Sequence, residues 1–182
     1  VIPIPNRVPD IDRWLDQIAP DLIILSNGED FGTSPYRDEL ETRIIARTEK
    51  ARTPVLCACR GFQVLNTLNG APTISDLTDQ TGERHVALTH EIELSGEAFV
   101  ELTGQGRVSV NSYHNQGVMA DALTLGSNLI PFAVSEANVL EGCVHANLPF
   151  LGIQWHPERD GSDAAFDAAL ITKFANEGSF WV

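Results

Sequence analysis

A chain of 182 residues, 43% of them hydrophobic, is long enough for one domain with a sizeable core. A formal net charge of −13, with no cluster of Lys and Arg, argues against nucleic acid or an anionic membrane surface as the main partner. No apolar run approaches membrane-spanning length and no signal-peptide pattern opens the chain; three cysteines, an odd number, argue against a disulfide framework and for a reducing cytoplasm.

Taken in order, the opening VIPIP reads as the end of a strand, and Asp10 caps a short helix with Ile11, Trp14, Leu15 and Ile18 on one face. Residues 22–25 are a continuous apolar run, predicting a strand covered on both faces, and a loop begins at Ser26-Asn27-Gly28. A helix is predicted over 36–52, with Leu40, Ile44, Ile45 and Thr48 inward. A second apolar run, 55–58, breaks at Cys59-Arg60-Gly61 and continues with Phe62, Val64, Leu65 and Leu68 at helical spacing up to Gly70. Strand, helix, strand, helix predicts a parallel sheet with helices on its faces.

Beyond Gly70 the pattern changes. Residues 73–95 and 107–118 read as hairpins or short strands near the sheet's end, and 130–134 with 140–145 as an antiparallel pair turning at Glu136-Ala137-Asn138. Residues 150–155 form another buried strand, ending in His156-Pro157-Glu158. A closing helix over 162–176 turns Phe166, Ala169, Leu170 and Phe174 inward. No repeat, low-complexity segment or linker divides the chain, which predicts a single domain over 1–182.

The turn at Cys59 has the pattern of a nucleophile elbow, with Ala58 and Gly61 giving the room that the bend and the following helix need. A thiol at a helix N-terminus is expected to favour thiolate. On this turn alone, a buried core cysteine explains Cys59 as well. Open α/β sheets place their sites at the carboxyl ends of strands, which here are Asn27-Gly28, Cys59 and His156-Pro157-Glu158. His156 is placed to serve as base and Glu158 to orient it, with backbone N–H groups of Asn27-Gly28 and Arg60 forming an oxyanion hole.

The segments CRGFQ at 59–63, VNSYHNQGV at 110–118 and GIQWHPE at 152–158 resemble the class I glutamine amidotransferase superfamily. Within it they are most similar to the γ-glutamyl hydrolase branch, the peptidase C26 type that includes γ-glutamyl-γ-aminobutyrate hydrolases. The resemblance implies a flavodoxin-like, three-layer α/β fold and a Cys59, His156, Glu158 triad. It places Gln63, Tyr113 and His114 near a bound glutamyl group. It implies hydrolysis of a γ-glutamyl amide through a thioester, with no metal or organic cofactor. Related outcomes are a glutaminase passing ammonia to a synthase partner and a hydrolase of γ-glutamyl nucleotide phosphoramidates. A non-catalytic binding subunit is the reading from another class, against which the intact triad stands. The family often has Gly-Gly at Asn27-Gly28. It also begins with a strand and helix ahead of Val1, so an N-terminal strand is expected to be missing between residues 1–4 and 22–25.

Other candidates carry less. His85 and His90 are five apart, an odd spacing that puts them on opposite faces of a regular strand, and no ligand spacing accompanies them, so no zinc site is expected. His114 is second choice as base because no carboxylate follows two residues on. Arg37, Asp38 and Glu41 begin a helix and read as a solvated face, with Arg37 within reach of substrate. Asp30-Phe31-Gly32 matches a kinase tripeptide by chance, and Cys143 reads as a core or edge-strand residue.

Overall fold

The computed structural model describes residues 1–123 and 128–182. Helix α1 (Ile11–Ile18) starts at Asp10, whose carboxylate accepts the Arg13 N–H at 3.0 Å, and it buries Ile11 and Leu15. Strand β1 (Ile23–Leu25) leads to α2 (Pro35–Ala51), where Pro35 sits in the first turn and has no N–H to satisfy. Then come β2 (Val55–Ala58), α3 (Arg60–Leu68) and the short α4 (Leu77–Thr81). Strand β3 (Val86–Leu94), α5 (Glu97–Val100) and β4 (Arg107–Tyr113) follow. The chain closes with β5 (Leu129–Val134), β6 (Leu140–His145), β7 (Phe150–Ile153) and α6 (Ala164–Glu177), the last capped by Asp163.

These strands form a seven-stranded sheet in the order β1-β2-β7-β6-β5-β3-β4. β1, β2 and β7 run parallel, and every pairing from β7 outward to β4 is antiparallel. Alternation along the strands divides the core into two layers. Val55 and Cys57 pack with Ile11, Leu15, Ile44, Ile45 and Phe62 from α1, α2 and α3. Leu56, Leu151 and Ile153 face the other way, onto Phe166, Leu170 and Phe174 of α6. Each of those α6 side chains is essentially fully buried, worth about 1.5–3 kcal/mol. Helix, sheet, helix is the three-layer arrangement expected. Among the described residues, no helix is long and apolar enough to cross a membrane.

Two expectations are corrected at the start of the chain. Residues 1–10 form no strand, and Val1 and Ile2 are exposed. Pro3 and Pro5 have no N–H to give to a ladder. Strand β1 pairs with β2 and is covered on one face: Ile23 and Leu25 are buried against α1 and α2, while Ile24 is 53% exposed. The α6 layer packs over β2 and β7 and does not bury Ile24, so an apolar run that reads as doubly covered is here an edge strand. Further along, part of the predicted hairpin region 73–95 is helical: α4, capped by Asp76. The expected β5–β6 hairpin is present, with Asn138 at φ 63° in its turn.

Candidate active site

The carboxyl ends of β2 and β7 lie side by side. The Cys59 N–H donates to the Ile153 carbonyl at 2.9 Å, carrying the parallel ladder one residue past β2. Cys59 itself has φ 50° and ψ −103°, a conformation that costs a non-glycine residue about 1–3 kcal/mol. The bend is held by close packing. A Cβ on Gly61 would overlap the Leu25 carbonyl, and one on Gly152 would press into the Phe62 ring. Helix α3 therefore seats between β1 and β7 only with glycine at both places.

Past β7, the chain turns so that His156 Nδ1 meets Glu158 Oε1 at 2.8 Å. His156 Nε2 is buried, with no hydrogen-bond partner among the described residues. Glu158 also accepts from Asn27 Nδ2 at 3.2 Å, so the β1 and β7 loops meet at this carboxylate. The Tyr113 ring stands edge-on to His156 at 5.5 Å, and the Arg159 guanidinium lies 4.5 Å above the same tyrosine. Sequence reasoning missed Asn111, which brackets His156. Its Oδ1 accepts the His156 N–H at 2.9 Å, and its Nδ2 donates to the carbonyls of His156, Arg159 and Asp160 at 2.7, 3.1 and 3.3 Å.

The expected solvated face at Arg37, Asp38 and Glu41 is instead part of the site's foundation. Arg60 is fully buried; it binds Glu41 at 3.0 Å, Asp38 at 2.6 Å and the Glu29 carbonyl at 2.6 Å. Arg37 binds the other Glu41 oxygen at 2.7 Å and the Ser26 carbonyl at 2.9 Å. Two guanidinium and two carboxylate groups balance in charge and together grip the loop at 26–29. Asn27 and Gly28 are not in the left-handed region. A Cβ at Gly28 would overlap the Arg37 guanidinium, which would have to move from its place against Glu41 and Ser26.

Burial pushes the Cys59 thiol up to about 11, against the lowering by the Arg60 backbone N–H; Glu158 adds to the rise and Arg159 opposes it. The expected preference for thiolate is thus reversed in the resting site: one amide from α3 does not offset desolvation. Cys57, Cys59 and Cys143 are all free thiols.

Of the residues expected near a glutamyl group, Gln63 and Tyr113 lie at the site. Gln63 is in the first turn of α3, its N–H donating to the Cys59 carbonyl at 3.1 Å and its side chain to the Gln116 carbonyl at 3.4 Å. Tyr113 packs on His156 as above. His114 shares the Gln116 carbonyl with Gln63: its Nδ1 bonds that oxygen at 3.0 Å, and its Nε2 faces Glu141 at 3.5 Å. Around that buried carboxylate also stand His85 Nδ1 at 3.2 Å and His90 Nε2 at 3.8 Å. The spacing argument against a ligand set is overturned here. A β-bulge between Val86 and Leu88, with Ala87 at φ 55°, inserts one residue and reverses the parity, so the rings of His85 and His90 meet at 5.0 Å. Burial opposes ionisation of Glu141, but His114 and His85 outweigh it and hold the carboxyl down at about 2.

The profile of the family Peptidase C26 matches residues 17–158. The chain is similar to the protein NtpR of Enterococcus hirae, 29% identical over 90% of this chain and 77% of that one. It is also 29% identical to the γ-glutamyl-γ-aminobutyrate hydrolase PuuD of Escherichia coli, over 81% of this chain and 63% of that relative, less than two thirds of its length. Among solved structures, the glutaminase domain of Trypanosoma brucei CTPS, determined with bound acivicin, superposes with a TM-score of 0.73 over 100% of this chain and 82% of that one. At 14% identity this is a likeness of fold, and the fold is that of the class I glutamine amidotransferases.

Proposed function

Because the chain belongs to the peptidase C26 family and is an enzyme of C–N bond hydrolysis, we propose that it cleaves a γ-glutamyl amide through a thioester on Cys59. The observation that carries this reading is the strained backbone at Cys59, set at the strand-to-helix bend that ends β2, while the neighbouring strand β7 runs into a turn whose His156 holds a carboxylate through Nδ1. His156 Nε2 takes the thiol proton as sulfur attacks the γ-carbonyl carbon. The carbonyl electrons move to oxygen, facing the amides of Arg60 and the Asn27-Gly28 loop. As the C–N bond breaks, His156 returns the proton to the departing amine. Water then attacks the thioester, giving its proton to His156, and the C–S bond breaks to release glutamate and restore the thiol. Glu158 holds the imidazole in one orientation throughout. Each oxyanion donor of this type contributes about 10²–10³ in rate. Gln63 and Tyr113 line the glutamyl side of the site.

The test is a glutamate-release screen against a panel of γ-glutamyl amides and nucleotide conjugates, run with wild type and Cys59→Ala. Release by wild type, abolished in Cys59→Ala, is expected. Near-normal turnover in Cys59→Ala would sink the mechanism. Ammonia release from glutamine alone, rising with a synthase partner, would favour the glutaminase reading that the PuuD-like hydrolysis displaces here.

A further inference from the structure

We propose that His85, His114 and Glu141 form a divalent metal site of the zinc class, with His90 as the nearest further donor. The site is independent of the proposed catalytic residues and joins three parts of the sheet. His85 precedes β3, His114 follows β4, and Glu141 lies within β6.

Geometry is the first argument. Donors about 2.0–2.1 Å from a tetrahedral zinc lie about 3.3–3.4 Å from one another. The Glu141 oxygen stands 3.2 Å from His85 Nδ1, 3.5 Å from His114 Nε2 and 3.8 Å from His90 Nε2. The donor atoms of His85, His114 and Glu141 all fall within 4.8 Å of one another. Thus the two edges that meet at Glu141 are already close to those of a zinc tetrahedron, and the two nitrogens lie within 4.8 Å of each other.

The second argument is what the other nitrogens do. A metal-ligating histidine commonly gives its remaining N–H to a carboxylate or a backbone carbonyl, which fixes the tautomer. His85 Nε2 bonds Glu83 Oε2 at 3.2 Å, and that carboxylate is itself held by Ser135 Oγ at 2.6 Å. His114 Nδ1 bonds the Gln116 carbonyl at 3.0 Å. With Nδ1 engaged by that carbonyl, Nε2 is the His114 atom left facing Glu141. Consistently, His85 Nδ1, His114 Nε2 and both Glu141 oxygens are buried and lack hydrogen-bond partners among the described residues.

The third argument is the bulge. Ala87 adopts a left-handed backbone, at φ 55°, that is strained for a non-glycine residue. It turns His90 to the same side as His85, and a histidine pair gathered on a buried carboxylate is what this distortion achieves.

The probe is zinc itself. The purified full chain is stripped with a chelator and titrated with zinc, following bound metal by competition with a chromophoric chelator and stability by thermal melting. About one zinc per chain and a rise in melting temperature are expected. Cobalt loading should give the visible bands of a tetrahedral N/O site without thiolate charge transfer. Cys59→Ala should bind as wild type does, and Glu141→Gln should lose stoichiometric binding. Absence of stoichiometric zinc and of a melting shift in the wild-type chain would overturn the proposal without reference to any variant. So would thiolate charge transfer with cobalt, or binding lost in Cys59→Ala but kept in Glu141→Gln, since either places the metal on cysteine.

Discussion

Asn111 grips His156 on both sides of its backbone, accepting from its N–H at 2.9 Å and donating to its carbonyl at 2.7 Å. Asn111 lies on β4, the edge strand farthest from β1, while His156 follows β7, so the link joins strands that are not neighbours in the sheet. Because its Nδ2 also reaches Arg159 and Asp160, one amide sets the whole turn that carries Glu158.

Asn111→Ala is therefore expected to lower kcat by about 10²-fold, the scale of a misplacement of about 1 Å, with a smaller change in KM. Steady-state kinetics on the best substrate from the screen checks this. Loss of the buried His156 N–H acceptor should also destabilise the fold by about 1–3 kcal/mol in chemical denaturation. Unchanged kcat would mean that the His156 turn holds its position without Asn111.

The raised Cys59 pKa fixes a second outcome. In the free enzyme, the rate of alkylation by iodoacetamide should keep climbing toward about pH 11, with no plateau in the neutral range. Glu158→Gln should move this profile to lower pH, since the Glu158 charge is one of the causes of the rise. The linked stability follows the same sign. The folded state holds the thiol proton more tightly than the unfolded chain, so this contribution is full below about pH 8.5 and is lost as pH rises toward about 11. A plateau below about pH 7, as for activated thiolates, would contradict the resting state described.

A third outcome concerns the seam between β7 and α6. Trp155 donates its indole N–H to Asp167 at 2.7 Å, both buried, and burial raises the Asp167 pKa. The native state thus binds the Asp167 proton more tightly than the unfolded chain, and its stability falls as pH rises through the folded pKa. Asp167→Asn keeps an acceptor for the indole and removes the charge. It should match or exceed wild-type stability at neutral pH, with the difference vanishing below about pH 3.9. Asp167→Ala, which orphans the indole, should lose about 1–3 kcal/mol at neutral pH. Denaturant midpoints over this pH range decide it, and Asp167→Asn falling well below wild type at neutral pH would refute the charge argument.

What could be read from the chain followed from how local each signal is. The bend at Cys59 and the turn at His156-Pro157-Glu158 are each written in a few consecutive residues, and the parallel strands that bring them together follow from the strand–helix alternation. Asn111 was invisible because its contact with His156 crosses 45 residues. Arg60 reads as an ordinary polar residue opening a helix, and only the packed structure shows Glu41 and Asp38 around it. The histidine cluster was misread for a different reason: parity along a strand assumes a regular strand, and the left-handed Ala87 breaks that assumption within two residues of His85.

Arg60 has a consequence of its own. Its backbone amide is one wall of the proposed oxyanion hole, while its guanidinium, through Glu29 directly and through Glu41 and Arg37 to Ser26, anchors the loop that forms the other wall. The gap between the two walls is therefore gauged by the length and fork of a single side chain. A lysine there would keep the charge and the amide yet lose the fork that reaches Glu41, Asp38 and the Glu29 carbonyl at once. The aperture proposed for the developing oxyanion is thus calibrated from inside the core, by a side chain that is itself fully buried.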